Sequence, residues 1–208
     1  MPVAQPLLIF PCNGNAIEAL DCLGDAHDLI GFIDDTAEKQ GSGAHGYPVF
    51  GREALERYPA ARLLAVPGGP SSYRSRREVI EGLGVRADRF TSVVHPAASV
   101  SPLALIGRNV LIMAGVVITS NGVIGDHVCI LPNSVIHHDV LVGAWSLIGS
   151  GVTIAGGSEI GENCYVGSGS SIINGVRLGE RVLVGLGSNV IRSVRPDARV
   201  VGNPAREV

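Results

Sequence analysis

From Val94 to Val190 every sixth residue is Val, Ile or Leu, a phase that runs through Ile106, Ile118, Ile130, Val142, Ile154, Val166 and Leu178 without an insertion. The position four further on is also restricted, mostly to Val or to a small residue such as Ser134, Ser146, Ser158, Ser170 and Ser188. Gly commonly follows the aliphatic residue, as at Gly107, Gly125 and Gly161. A period of six matches neither the 3.6 of a helix nor the 2 of a long strand. It suits very short strands joined by tight corners, with the aliphatic residue pointing inward. Hexapeptide repeats of this kind build a parallel β-helix. Three faces per turn make a coil of about 18 residues, and each coil supplies the hydrogen bonds its neighbour lacks. The 28 glycines and an aromatic content of only 4% fit many turns and little aromatic core.

Residues 1–93 read differently. Apolar runs at 6–10, 29–33, 62–66 and 89–94 are expected as strands, and 15–23, 52–58 and 71–83 as helices, with 41–46 as loop. Alternating β and α predicts a Rossmann-like parallel sheet in residues 1–93, followed by the β-helix in 94–208. The expected fold class is therefore α/β plus β. Ligands of such sheets bind beyond the carboxyl ends of the strands. Three ends converge there: Asn13, Gly14 and Asn15; Asp34 and Asp35; and Pro67 and Gly68. A helix starting after Gly14 could face a phosphate, and the acidic pair lies where ribose-binding carboxylates sit in dinucleotide folds. The full dinucleotide fingerprint is missing, because the first loop holds a single glycine.

The net charge of −3 gives no electrostatic case for nucleic acid. No apolar run approaches the roughly 18 residues of a membrane span, and no targeting segment is read at the N-terminus, so a cytoplasmic protein is expected. The four cysteines are scattered, and no metal site is expected. Only eight formal charges fall within 94–190, which predicts that part of the β-helix surface is covered by a partner. Trp145, at an outward hexad position, is expected in such a contact.

The hexads, Asp34-Asp35, the run Gly46-Tyr47-Pro48-Val49-Phe50-Gly51, the His95-Pro96 entry and the closing Gly202-Asn203-Pro204-Ala205-Arg206 together resemble the nucleotide-sugar acetyltransferases of the PglD and NeuD kind. The resemblance covers nearly the whole chain. It implies a left-handed coil, a homotrimer, acetyl-CoA as co-substrate and N-acetylation of a nucleotide-linked amino sugar, with O-acetylation of a sialic acid or other sugar hydroxyl as the alternative; a non-catalytic β-helix scaffold is a third reading, against which the pair His138-Asp139 argues. The family histidine of the first loop is replaced by Asn15. The catalytic hexad of the family maps onto Ile136-His137-His138-Asp139, with His138 as base and Asp139 as the acid that raises its basicity. Its acetyl-CoA positions map onto Leu147, Ser168 and Leu186. Stacking by 18 adds Gly156 beside His138, a side-chain-free step that leaves room for a thioester.

Overall fold

The computed structural model describes residues 4–41 and 43–208. In the N-terminal unit, β1 (Gln5–Phe10), β2 (His27–Ile33), β3 (Gly43–Ala44), β4 (Tyr47–Phe50) and β5 (Arg62–Ala65) form one sheet in the order β3-β4-β2-β1-β5. All neighbours are parallel except β3 and β4, which form an antiparallel hairpin at the edge. His45 and Gly46 between them both have positive φ, 51° and 85°, as a two-residue primed turn requires. The expected parallel sheet is thus mixed, and residues expected as loop supply its edge. Helices α1 (Gly14–Glu18), α2 (Ala54–Arg57) and α3 (Arg76–Glu81) are shorter than expected, because α1 runs on, and α3 is entered, as 3₁₀ turns.

The predicted fourth strand at 89–94 divides between the two units. Phe90 bridges Leu63 in parallel at the sheet edge, whereas Val93–Val94 pairs with Leu111–Ile112 as the first rung of the β-helix. The boundary expected after residue 93 therefore falls inside a strand.

The β-helix is three parallel sheets. One begins at Val93–Val94, a second at Ser99–Val100 and a third at Leu105–Ile106. Up to Val190 partners are 18 residues apart on every face, as in Val117 with Val135, Leu141 with Glu159 and Cys129 with Leu147, and the closing rung, Leu183 with Arg199, shortens to 16. From Ile112 to Val190 the hexad aliphatics fill one continuous core, all buried. The first coil is less covered, with Val94 42% exposed and Val100 and Ile106 only partly buried, since no coil lies beneath it. Each narrow corner places its small residue inside. Ser134 Oγ donates to Gly149 O at 2.7 Å and accepts from Val152 N at 3.1 Å, and Ser146 bridges Gly161 O and Cys164 N in the same way. Each of these hydroxyls satisfies two buried backbone groups of the next coil at once.

The corners carry a second period of six. Asn109, Gly115, Asn121, His127, Asn133, Asp139, Trp145, Gly151, Gly157 and Asn163 all have positive φ. The left-handed conformation tolerates Gly, and Asn or Asp after it, which is why these types recur there.

The N-terminal unit sits on the sheet that starts at Val93. Outward residues Val93, Leu111, Cys129 and Leu147 of that sheet are at most 4% exposed and join the core of β1, β2 and β5. Much of the covering expected from a partner is thus supplied within the chain. Trp145 belongs to the same contact. It stacks on His127 at 3.9 Å and 7°, with Phe90 edge-on to the histidine and Arg77 over the indole. Asn109 completes the joint: its Oδ1 accepts from Ala65 N at 2.6 Å and its Nδ2 donates to Ala65 O at 2.8 Å.

Candidate active site

His138 and Asp139 follow the inward residue Ile136, at the corner between the second and third sheets. Asp139 has φ 58°, and this turn lets its side chain reach back along the chain. Its Oδ2 lies 2.8 Å from His138 Nδ1, and its Oδ1 accepts from Asn121 Nδ2 at 2.9 Å. Asn121 stands one coil below Asp139, a distance of about 4.8 Å in a β ladder. The His138 hydrogen bond, then that of Asn121, holds the Asp139 carboxyl below the usual carboxylate range. A carboxylate at Nδ1 selects the tautomer with the proton there, leaving Nε2 as an acceptor. Asn121 was not singled out in the sequence. The 18-residue stacking that places Gly156 beside His138 also places Asn121 beneath Asp139.

Gly156 lies on the opposite side of the ring. A Cβ built there would meet His138 Cε1 and Nε2 at 2.5 Å, so only glycine allows this ring position. The backbone ladder uses the N–H groups of Ala155 and Gly157, which leaves that of Gly156 outside it. His137 is half-buried, on the same corner, and shares none of the hydrogen bonds of the Asn121–Asp139–His138 row.

The three acetyl-CoA positions fare differently. Leu147 is 4% exposed and enclosed between the units, with its Cδ1 3.5 Å from where a Gly68 Cβ would be. Its side chain therefore packs against the N-terminal unit, as the sheet it occupies dictates. Ser168 Oγ accepts from Ser150 N at 3.0 Å at another corner. Leu186, one coil above Ser168, is 72% exposed.

The strand ends do converge. Asn13 caps α1 through Ala16 N at 3.0 Å and donates to Val66 O at 3.2 Å. Asn15 Nδ2 lies 3.5 Å from both Val66 O and Gly68 O. Lys39 Nζ links the first two ends, donating to Cys12 O at 2.8 Å and to Asp34 Oδ2 at 2.9 Å. Asp34 is buried, which raises its pKa, but its hydrogen bonds to Lys39 and Thr36 outweigh burial and hold it below the ordinary value. Asp35 points elsewhere, in a two-pronged pair with Arg52 at 2.7 and 2.8 Å. Pro67 O accepts from Arg76, and Gly68 has φ 102°.

No group of three or more His, Cys, Asp or Glu able to hold a metal ion occurs among the described residues. No helix among them is long and apolar enough to cross a membrane.

Residues 121–156, the stretch from Asn121 through His138 to Gly156, match the family described as bacterial transferase hexapeptide (six repeats). A comparison with curated protein sequences finds no match. Among solved structures, a variant of perosamine N-acetyltransferase from Caulobacter crescentus, in complex with CoA and GDP-perosamine, is 26% identical with TM-score 0.86. The match covers 100% of this chain and 98% of that one. Two structures of that enzyme are of variants with one histidine replaced, by asparagine in one and alanine in the other. The acetyltransferase domain of PglB from Neisseria gonorrhoeae, in complex with acetyl coenzyme A, is 27% identical with TM-score 0.85 over 99% of this chain and all of that one. WeeI from Acinetobacter baumannii, at 24% identity and TM-score 0.72, shares the fold.

Proposed function

We propose that this chain is an acetyl-CoA-dependent N-acetyltransferase acting on the amino group of a nucleotide-linked amino sugar, with His138 as general base. The observation that carries the reading is the Asn121–Asp139–His138 row packed against Gly156. It lies in a chain similar along its whole length to acetyltransferases seen with CoA, acetyl-CoA or GDP-perosamine.

The chemistry asks three things of the protein. A sugar amine attacks only after losing a proton, and His138 Nε2, opposite the Nδ1 held by Asp139, is the acceptor for it. Asp139 keeps the ring oriented and stabilises the imidazolium, while Asn121 keeps Asp139 aimed. The third is a hydrogen-bond donor for the charge that develops on the carbonyl oxygen of the thioester, and the Gly156 N–H supplies one. Acetyl-CoA brings the activated acyl group. As the C–N bond forms and the C–S bond breaks, the proton taken by His138 passes to the departing sulfur, and the products are the acetamido sugar and CoA. The strand ends at Asn13, Gly14, Asn15, Asp34 and Gly68 hold the nucleotide, and the corners carrying Ser168 and Leu186 contact the CoA arm. Since acetyl-CoA is an intracellular metabolite, the reading implies a cytoplasmic location.

The working unit is a homotrimer whose sites lie between copies. The N-terminal unit covers the first sheet, while His138 sits at the corner opposite it, between the other two sheets. The strand-end loops of a chain therefore face away from its own base. The sheet beside that base bears Leu105, Val123 and Leu141 outward at 67%, 37% and 43% exposure, an apolar strip suited to a second copy.

The test is thiol release from acetyl-CoA with 4-amino sugars linked to UDP, GDP, TDP or CMP. One of them should be turned over, and His138→Ala should lower kcat by about 10² to 10⁴ with both affinities kept. His137→Ala should cost least. Turnover of sugar hydroxyls alone would make the protein an O-acetyltransferase. A more damaging His137→Ala would move the base one residue back.

A further inference from the structure

Arg76 is 1% exposed, the largest fully buried side chain among the described residues, and no carboxylate is among its hydrogen-bond partners. Its guanidinium is held by backbone oxygens alone. Nε donates to Trp145 O at 2.9 Å, Nη2 to His127 O at 2.6 Å and Nη1 to Pro67 O. Two of these oxygens belong to neighbouring coils of the β-helix, and the third to the loop that leaves β5. A buried cation is tolerated only when its hydrogen bonds are made, and here making them requires both units in one arrangement. The loop is shaped to the arginine as well. Gly68 has φ 102°, and a Cβ on it would lie 2.7 Å from Arg76 Cγ. Asn15, in the first turn of α1, contacts the same loop through Gly68 O.

We infer that Arg76 is a positioning residue: it fixes the strand-end loop at Pro67–Gly69 to the β-helix corners at His127 and Trp145, so that the nucleotide-holding crevice stands at a set height along the coils. This rests on the nucleotide-sugar reading for its kinetic consequence and on geometry alone for the clamp itself. Lysine keeps the charge but has one nitrogen for three oxygens in different places. Arg76→Lys should thus loosen the loop without uncovering the core.

The experiment has a ligand-free arm and a kinetic arm. Amide hydrogen exchange is followed at Val66 and Gly69 in the full-length protein without substrate, and KM is measured for acetyl-CoA and for the nucleotide sugar that the wild type turns over best. In Arg76→Lys, exchange at both amides should quicken about tenfold, the net worth of one charge-assisted hydrogen bond. KM for the nucleotide sugar should rise by a similar factor, with KM for acetyl-CoA unchanged. In Arg76→Ala, millimolar guanidinium chloride should restore both quantities toward wild type. Should that variant fail to fold, Gly68→Ala, which displaces the loop and leaves the arginine, should reproduce the Lys pattern. Unchanged protection at Val66 and Gly69 in a folded variant overturns the clamp. Equal rises in both KM values reduce Arg76 to a stability role. If the wild type acetylates no nucleotide sugar, the functional reading fails, and the exchange arm still decides the clamp.

Discussion

Gly156→Ala should silence the enzyme while leaving its fold intact. The glycine has no positive φ, so alanine can adopt its backbone without strain. Its new Cβ, however, would sit 2.5 Å from both Cε1 and Nε2 of His138, where carbon contacts settle at about 3.5–4.0 Å. About 1 Å of movement is required, and the ring supplies it, since the His138 side chain is 62% exposed and Gly156 is locked in the coil. Moving the ring that far takes Nδ1 out of the 2.8 Å bond to Asp139 and beyond hydrogen-bond range. A misplacement of about 1 Å in a catalytic group costs on the order of 10² in rate. Thermal melting should be unchanged or slightly raised, because alanine restricts the unfolded chain by about 0.4–1 kcal/mol relative to glycine. The assay is thiol release under saturating substrates, paired with a melting curve at the same protein concentration. A kcat within about twofold of wild type, with the fold intact, would show that the ring position set by Gly156 is irrelevant to turnover.

Two further outcomes follow from the buried polar groups. Ser134→Ala strands Gly149 O and Val152 N together and should destabilise the β-helix by about 2–3 kcal/mol in urea titrations at fixed protein concentration. Burial pushes the pKa of His127 down to about 4, against about 6.5 in an unfolded chain, so the unfolded state binds the extra proton between those values. The stability contributed by neutral His127 is therefore present above about pH 6.5 and is lost as pH falls toward 4. Melting temperatures over that window should drop, and less steeply in His127→Asn, which tolerates the same left-handed corner.

The β-helix was legible in the sequence because every coil repeats one geometric demand. An inward aliphatic residue, a small partner and a corner residue recur in fixed phase, and no insertion disturbs them. The corner period was equally available, since Asn109, Asn121, Asn133, Asp139 and Asn163 are spaced in sixes. It would have set Asp139 at a left-handed corner and Asn121 beneath it. The N-terminal sheet was less legible. Strand β4 buries only Val49 fully and contains Pro48, a residue tolerated near a sheet edge, so it lacks the apolar run of β1 or β2. Arg76 was invisible for another reason. Arginine on a short helix normally faces water, and nothing local announces three carbonyl oxygens arriving from distant segments. Leu147 carries the same lesson. Its hexad position says only that it points outward, and what covers that face is decided by where the first unit docks.

His138 and Asp139 are 62% and 55% exposed in the single chain, in a setting where water competes for every polar contact. A neighbouring copy against Leu105, Val123 and Leu141 would exclude that water and bring its own strand-end loops to the base. Each site then draws His138 from one chain and Asp34 from another. Chains carrying His138→Ala lack a base, and chains carrying Asp34→Ala lack the carboxylate that, with Lys39, ties two of the strand ends. Each variant alone should be nearly inactive. When equal amounts are dissociated and reassembled together, half the bases and half the loops are intact. Random pairing across a closed symmetric interface then joins an intact base to an intact loop in about one quarter of sites. Activity of the mixture should rise to about that fraction of wild type. If each site were instead built within one chain, no chain in the mixture would have both parts, and reassembly would restore nothing. Thiol release before and after reassembly, with light scattering to follow the assembly state, separates these two outcomes.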